Sequence, residues 1–539
     1  MKSTVKTILS LVVVLFSALL LFAFSWRDNV SDRISFPYKK VGLSERQAAA
    51  HLLSRFTYGA RKGDVDAVVK MGLEKWFLQQ LDGGLPDDSL NAELASLPNI
   101  NLSNAEIDNV YPRPGAVVRK AVEEGYIDKD SVNTLDRKLY RQRLDSYMQQ
   151  KGLKPQQALY RTFIEQKVLR AIHTQNQLRE VMTDFWFNHF NVSITKNQCA
   201  SYIPSYEREV IRPNVLGNFN TLLLATAKSP AMLIYLDNYT SKRGGLNENY
   251  AREVMELHTL GVDGGYTQLD VTEAARVLTG WTLGQGVGKG EFLFAVKRHD
   301  QKAKTVLGNR FEADGGYEEG VSLLKMLGDH PSTAKFITKK IAVRFVSDNP
   351  AQTLLNKMAK TFEASDGDIR EVILAMVKSR EFWTEKAIRE KTKSPFELVM
   401  SAVRGLDADV RQPYQLFSWV NKMGQKIYYY QAPTGFPDKG QYWINTGALL
   451  NRMNFGIALA SQKIPGVKID LSALNGNREP ESAEAALLTY GKLIMPERAL
   501  GESVERLKPL LNAPELLVKM DKAAAVVGLI IGSPEFQRK

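Results

Sequence analysis

Apolar residues recur at helical spacing along most of the chain. In LSERQAAAHLLSRF, Leu43 to Phe56, the side chains of Ala48, His51, Leu52 and Phe56 share one face. Ser44, with Gln47 three residues on, forms a capping box where that helix begins. A turn over Gly59 to Gly63 and two more short helices come next. Residues 83–116 are rich in Pro, Asn and Asp and are expected to be irregular. Helical periodicity returns from Val118 to about Phe190, from about Val215 to Tyr235, and from Gln268, where Thr267 and Asp270 make a second capping box and Gly280 a stop. The pattern changes once. EFLFAVKRHDQKAKTVLGNRF, Glu291 to Phe311, predicts a β-hairpin or small ribbon with His299 and Asp300 near its turn. Helices then resume to about Trp383, a looser segment spans 384–394, and the C-terminal third is again helical. The predicted fold is mainly α: a multi-helix, globular, bundle-like fold with a small β-hairpin or ribbon around 291–311.

One internal similarity stands out. DIREVILAMVKSREFW (Asp368–Trp383) and KAAAVVGLIIGSPEFQ (Lys522–Gln537) are both apolar helices ending in Ser-x-Glu-Phe. Two copies are too few for a solenoid. They suggest one large helical domain over 26–539, with a candidate division into two lobes near 384–394.

The N-terminus adds a compartment. Lys2 and Lys6 precede an apolar run from Ile8 to Phe24, and Ala23-Phe24-Ser25 fits a small-x-small cleavage site. Residues 1–25 therefore read as an export signal, either cleaved after Ser25 or retained as a single anchor. The expected location is extracytoplasmic, periplasmic or secreted, with membrane contact only through that segment. The net charge of +12 would raise nucleic acid as a partner in a cytosolic protein. In an exported chain with dispersed basic residues it points instead to solubility or to anionic envelope surfaces and polysaccharides. Cys199 is the only cysteine, so no intramolecular disulfide forms, and no local motif makes it a nucleophile.

Candidate chemistry concentrates in NENYAREVMELHTLG, Asn247 to Gly261. On a helix at about 100° per residue, Asn249, Arg252, Glu253 and Glu256 form one polar stripe. Tyr250, Ala251, Val254, Met255, Leu257 and His258 fill the rest. Asn247 or Asn249 can cap the helix, and Gly261 can end it. The stripe is either a structural ion-pair network or a site. In the second case Glu253 and Glu256 are acid/base groups or ligands of a divalent metal ion, and Arg252 orients an anionic substrate. Glu256 and His258 lie about 160° apart and do not share an ion.

Other constellations are weaker alone. In DFWFNHF, Asp184 and Asn188 share a face while His189 joins the apolar side, as a core histidine or an imidazole facing a pocket. His299-Asp300 either makes a turn or serves acid–base or metal chemistry. His51 reads as a core histidine. The loop YYYQAPTGFPDKGQYW, Tyr428 to Trp443, either fills a groove between helices or offers an aromatic platform for a glycan or polymer. Walker A, HExxH, CxxC, CxxCH and GxSxG motifs are absent, and GQGVGKG (Gly284–Gly290) lacks the strand–helix setting of a dinucleotide fingerprint.

Together LLSRFTYGA, FWFNHF, MLIYLDN, NENYAREVMELHTLGVDGGYTQLDVTEAARVLTGWT, HD followed by KTVLG, SPFELVMSAVRGL, APTGFPDKGQYW, LLNRMNFG and the terminal SPEFQ resemble the bacterial domain-of-unknown-function 1800 family. The resemblance implies an exported, mainly helical bacterial protein, often encoded beside a sulfatase-like partner. It implies no reaction. The expected function is an extracytoplasmic enzyme, hydrolytic, acting on an envelope or extracellular polymer, with Arg252, Glu253, Glu256, His189, His299 and Asp300 converging on one pocket. The alternative is a non-catalytic envelope binding or scaffold protein working with such a partner.

Overall fold

The computed structural model describes residues 34–128, 137–196, 199–284, 290–511 and 521–539. The expected export signal over 1–25 and most of the Gly284–Gly290 loop lie outside the described residues. The fold is mainly α, with three small two-stranded antiparallel sheets among the described residues. No helix among the described residues is long and apolar enough to cross a membrane.

Helices begin where the side chains can satisfy their first amides. The Ser44–Gln47 and Thr267–Asp270 capping boxes form ahead of the helices Glu45–Phe56 and Gln268–Val277. A third, Ser394–Glu397, opens Pro395–Gly405. His330 Nδ1 accepts the Ser332 amide at the start of Pro331–Phe345. The same chemistry corrects the expectation for 83–116. That segment holds the helices Asp88–Ala95 and Asn104–Val110 and the start of Pro114–Glu123. Ser103 and Glu106 there form a capping box, so polar residues that suggested turns include helix starts.

The strands also differ from expectation. Residues 291–311 do not form one hairpin. β1 (Trp281–Leu283) pairs with β2 (Phe292–Phe294), and β3 (Lys304–Val306) pairs with β4 (Asn309–Phe311). A third pair joins β5 (Asp409–Val410) to β6 (Val467–Lys468). Leu307 and Gly308 turn β3 into β4 with φ of 49° and 75°. Two left-handed residues match the twist of a tight hairpin, and a leucine there gives little sequence signal.

Helices close around a contiguous core running from Phe36 to Phe536. The second copy of the internal similarity, Lys522–Gly532, lies along Thr446–Ala460. Two glycines permit that approach. A Cβ on Gly456 would sit 2.7 Å from the Gly528 carbonyl oxygen, and one on Gly528 would sit 3.2 Å from Ile457 Cα. Backbone cannot yield as a side-chain tip can. Gly456→Ala is expected to destabilise the fold by about 1–3 kcal/mol. Gly115→Ala, in the helix Pro114–Glu123 with nothing within 4 Å of the added methyl, serves as the control and is expected to be unchanged or slightly more stable. Thermal unfolding of both variants checks this.

Candidate functional site

The helix under the polar stripe changes type midway. It is α over Asn249–Glu253 and π over Val254–Thr259. The Leu260 amide reaches back to Met255 O at 2.9 Å, and Thr259 Oγ1 donates to Val254 O at 2.6 Å. π segments recur at functional sites. Asn247 accepts the Asn249 amide at 3.0 Å ahead of the helix, and Gly261 ends it at φ 83°. The stripe itself is partly exposed. Arg252 donates to Gln268 at 2.7 Å and pairs with Glu248 at 3.5 Å. Glu256 meets the Tyr266 hydroxyl at 3.4 Å. Glu253 is half-buried, and its side chain has no hydrogen bond or ion pair among the described residues. Burial, then Glu256, raises its pKa. Among the described residues no three His, Cys, Asp or Glu side chains converge as a metal set. A divalent ion on Glu253 and Glu256 would rest on two carboxylates alone.

The three other predicted residues sit in separate surroundings. His189 is buried among Trp186, Phe190 and Phe336, with Nε2 3.1 Å from the His258 carbonyl. Burial, then Lys340, holds it well below the usual imidazole range. His299 is not at an exposed turn. It lies buried between β2 and β3, with Nδ1 2.9 Å from Thr279 O and Nε2 3.3 Å from Glu319, which Lys304 holds at 2.6 Å. Asp300 pairs with Arg276 at 2.9 Å, and that bond keeps its carboxyl at about 2. Among the described residues no hydrogen bond or ion pair joins His189, His299 or Asp300 to Glu253 or Glu256.

Buried charge gathers elsewhere. The second π segment, Tyr206–Ile211, turns Glu207 into the interior. Glu207 takes Arg212 at 2.8 Å, Lys167 at 3.3 Å and the Tyr428 hydroxyl at 2.7 Å. Lys167 also pairs with Asp184 at 3.2 Å. The cations outweigh burial and lower the Glu207 pKa. Beside this network Glu397 receives Arg344 at 2.7 Å, Lys539 at 2.5 Å and the Ser394 amide at 2.9 Å.

Two cavities share Glu397 as a wall. The inner one, about 60 Å³, lies under the aromatic loop, roofed by Phe436, Pro437 and Trp443. Asn188 pins that roof, donating to Phe436 O at 2.8 Å and accepting the Phe436 amide at 2.7 Å. Gly435, at φ 69°, leaves no room there: a Cβ would sit 2.2 Å from Asn188 O. Asn191 and Tyr235 hold the loop at Ala432 and Gln431. Most of the loop thus fills a groove, while Tyr442 stays exposed.

The outer cleft, about 130 Å³, opens beside Glu45–Phe56 and is walled by His51, Tyr58, Lys393, Ser401 and Lys539. The His51 Nε2 contact, 2.9 Å from the Phe382 carbonyl, must be an N–H donor, because that carbonyl only accepts. Nδ1 is then a buried lone pair without a partner. Burial, then Arg55, keeps this imidazole neutral. The buried Tyr58 hydroxyl also lacks a partner. Lys393 Nζ faces the Phe536 ring at 3.7 Å, and burial holds its pKa well below the usual lysine value. Burial likewise pushes Lys539 down to about 7, against the pull of Glu397. At the rim, Glu497 and Glu535 are engaged by Arg46 and Arg506. Among the described residues Arg389 and Arg498 bind only backbone carbonyls. The rim is cationic.

The two Ser-x-Glu-Phe segments meet here. Phe382 of the first holds His51, and Phe536 of the second lines the cleft. The chain belongs to the family described as proteins of unknown function, DUF1800, whose model matches residues 51–538. No curated protein and no solved structure matches the chain.

Sequence reading missed the cleft because its residues are scattered. Only the LLSRFTYGA, SPFELV and SPEFQ segments marked its neighbourhood. Removing the roof pin tests the inner pocket's architecture. Asn188→Ala loses both bonds to the Phe436 backbone, each worth about 0.5–1.5 kcal/mol. Hydrogen exchange over 428–443 is expected to quicken, with little change at 268–277.

Proposed function

We propose that this protein is an extracytoplasmic enzyme that hydrolyses esters on an acidic, hydroxyl-rich envelope or extracellular polymer, in the cleft above Glu397. The observation that carries this reading is the cleft's set of buried groups without partners: an imidazole lone pair on His51 and a hydroxyl on Tyr58, beneath an arginine rim. Such groups are costly to bury unless a ligand completes them. His51 Nδ1 accepts from a polymer hydroxyl. Arg389 and Arg498 attract its acidic groups. The apolar run near the N-terminus supports an extracytoplasmic setting.

Lys539 supplies the base. Its amine is pushed down to about 7, near the working pH of a general base. The neutral amine takes a proton from water as the water oxygen bonds to the ester carbonyl carbon. The Tyr58 hydroxyl donates to the developing oxyanion. Collapse breaks the bond to the alkoxy oxygen, which leaves with the lysine's proton. A two-carboxylate glycosidase mechanism fits less well. Arg344 and the Ser394 amide, with Lys539 while it is protonated, hold Glu397 below the usual carboxylate range, too acidic to protonate a leaving group.

Acetate release from an O-acetylated acidic polysaccharide, measured from pH 5 to 9, tests the reading. The neutral amine is the active form, so the rate is expected to rise through a limb near pH 7 and then level. Lys539→Met is expected to lose about 10²–10⁴-fold; Glu397 keeps Arg344 and the Ser394 amide, and thermal unfolding checks that the variant is folded when assayed. Polymer binding without acetate release would sink the hydrolytic reading in favour of a binding protein.

A further inference from the structure

The inner pocket raises a separate question. Arg344 lies at its edge and meets Glu397 through Nη1 alone. Its Nε and Nη2 are buried and have no hydrogen-bond acceptor among the described residues. These are two adjacent donors of a planar fork, spaced to meet two oxygens of one group. Lys391 and Lys167 line the same space. Arg55, fully buried nearby, leaves Nε and Nη1 equally unmet, with only Ala387 O on its third nitrogen.

The pocket's acids are already engaged. Asp184 pairs with Lys167 at 3.2 Å, and Asp438 lies 3.8 Å from Lys340. Glu397 carries Arg344 and Lys539. None turns an oxygen to the free edge of the Arg344 fork. The volume, about 60 Å³, exceeds what one water needs and suits one compact group with several oxygens. The aromatic roof lowers the local dielectric, which strengthens any charge-assisted bond formed beneath it.

We propose that the pocket beneath Phe436 and Trp443 binds a single oxyanion, a phosphate or sulfate group, on the free Nε/Nη2 edge of Arg344, with Lys391 and Lys167 completing its surroundings. The proposal does not rest on the ester-hydrolysis reading, because the Arg344 fork, Lys391 and Lys167 take no part in it. The group arrives either as a free anion or as the end of a monoester, and both present the same three or four oxygens.

Isothermal titration of the full chain tests this, using inorganic phosphate, inorganic sulfate, methyl phosphate and methyl sulfate in chloride of matched ionic strength. Saturable one-site binding of at least one is expected. Binding of the free anions alone assigns the first source, and tighter binding of a methyl ester the second. Arg344→Lys keeps the charge opposite Glu397 but loses the fork, and is expected to bind about ten-fold more weakly. If that variant does not fold, Asp438→Asn decides. Removing one lining negative charge is expected to tighten binding several-fold, and its pair with Lys340 is long enough to lose. Absence of saturable binding overturns the proposal. So does affinity unchanged in either folded variant.

Discussion

Much of the molecule's geometry depends on one buried carboxylate. Glu397 caps its own helix through the Ser394 amide and holds Arg344 of Pro331–Phe345 and Lys539 beyond the Lys522–Gly532 helix. Three distant parts of the chain are thereby tied to one point. A buried ion is costly to desolvate and is tolerated only when its partners are well placed. Here the cations more than offset burial, since the Glu397 pKa falls although burial alone would raise it. Removing any partner would leave a buried charge, so the three elements are held as a set. Glu397 lines both cavities.

The second organising device is the pair of π segments. Both clasp the end of the helix Gln177–His189. The Tyr206 hydroxyl donates to Phe190 O at 2.8 Å, and His189 meets the His258 carbonyl at 3.1 Å. Tyr206 lies in one π segment and His258 in the other. Widening a helix by one residue re-aims the side chains of the next turn. In Tyr206–Ile211 this carries Glu207 to Lys167, Arg212 and Tyr428. Tyr428 itself is held at a left-handed φ of 65°, unusual for a bulky residue. Its bond to Glu207 and its carbonyl's bond to the Ile194 amide keep it there. Strain at the base of the aromatic loop is thus balanced by the charge network below it.

Local grammar was legible in the sequence. The capping boxes at Ser44 and Thr267, the stop at Gly261 and the helical periodicity are short-range signals, and they appear in the fold. So does the shared face of Asp184 and Asn188, both of which line the inner pocket. Signals needing a partner were not legible. His299 looked like a turn residue because Trp281–Leu283, the strand that pairs with Phe292–Phe294, carries no marking of its own. The π turn at Val254 could not be read from a wheel drawn at a fixed angle. The polar stripe drew attention because its charges are neighbours in sequence, yet Arg252 is spent on Glu248 and Gln268.

The cleft was hidden for the opposite reason. His51, Tyr58, Lys393 and Lys539 look ordinary one at a time, and Lys539 lies far along the chain from His51. Their chemistry comes from burial rather than from local motif. An exposed lysine keeps its proton at neutral pH; a desolvated one beside other cations gives it up. The same holds for His51, whose bond to the Phe382 carbonyl fixes which nitrogen carries hydrogen and so which one is free. Where sequence neighbours pair on the surface, charge is quenched. Where distant residues are brought together out of water without enough partners, proton affinities shift and donors stay unmet. The unmet groups around Glu397 therefore mark the part of this fold that a ligand would complete.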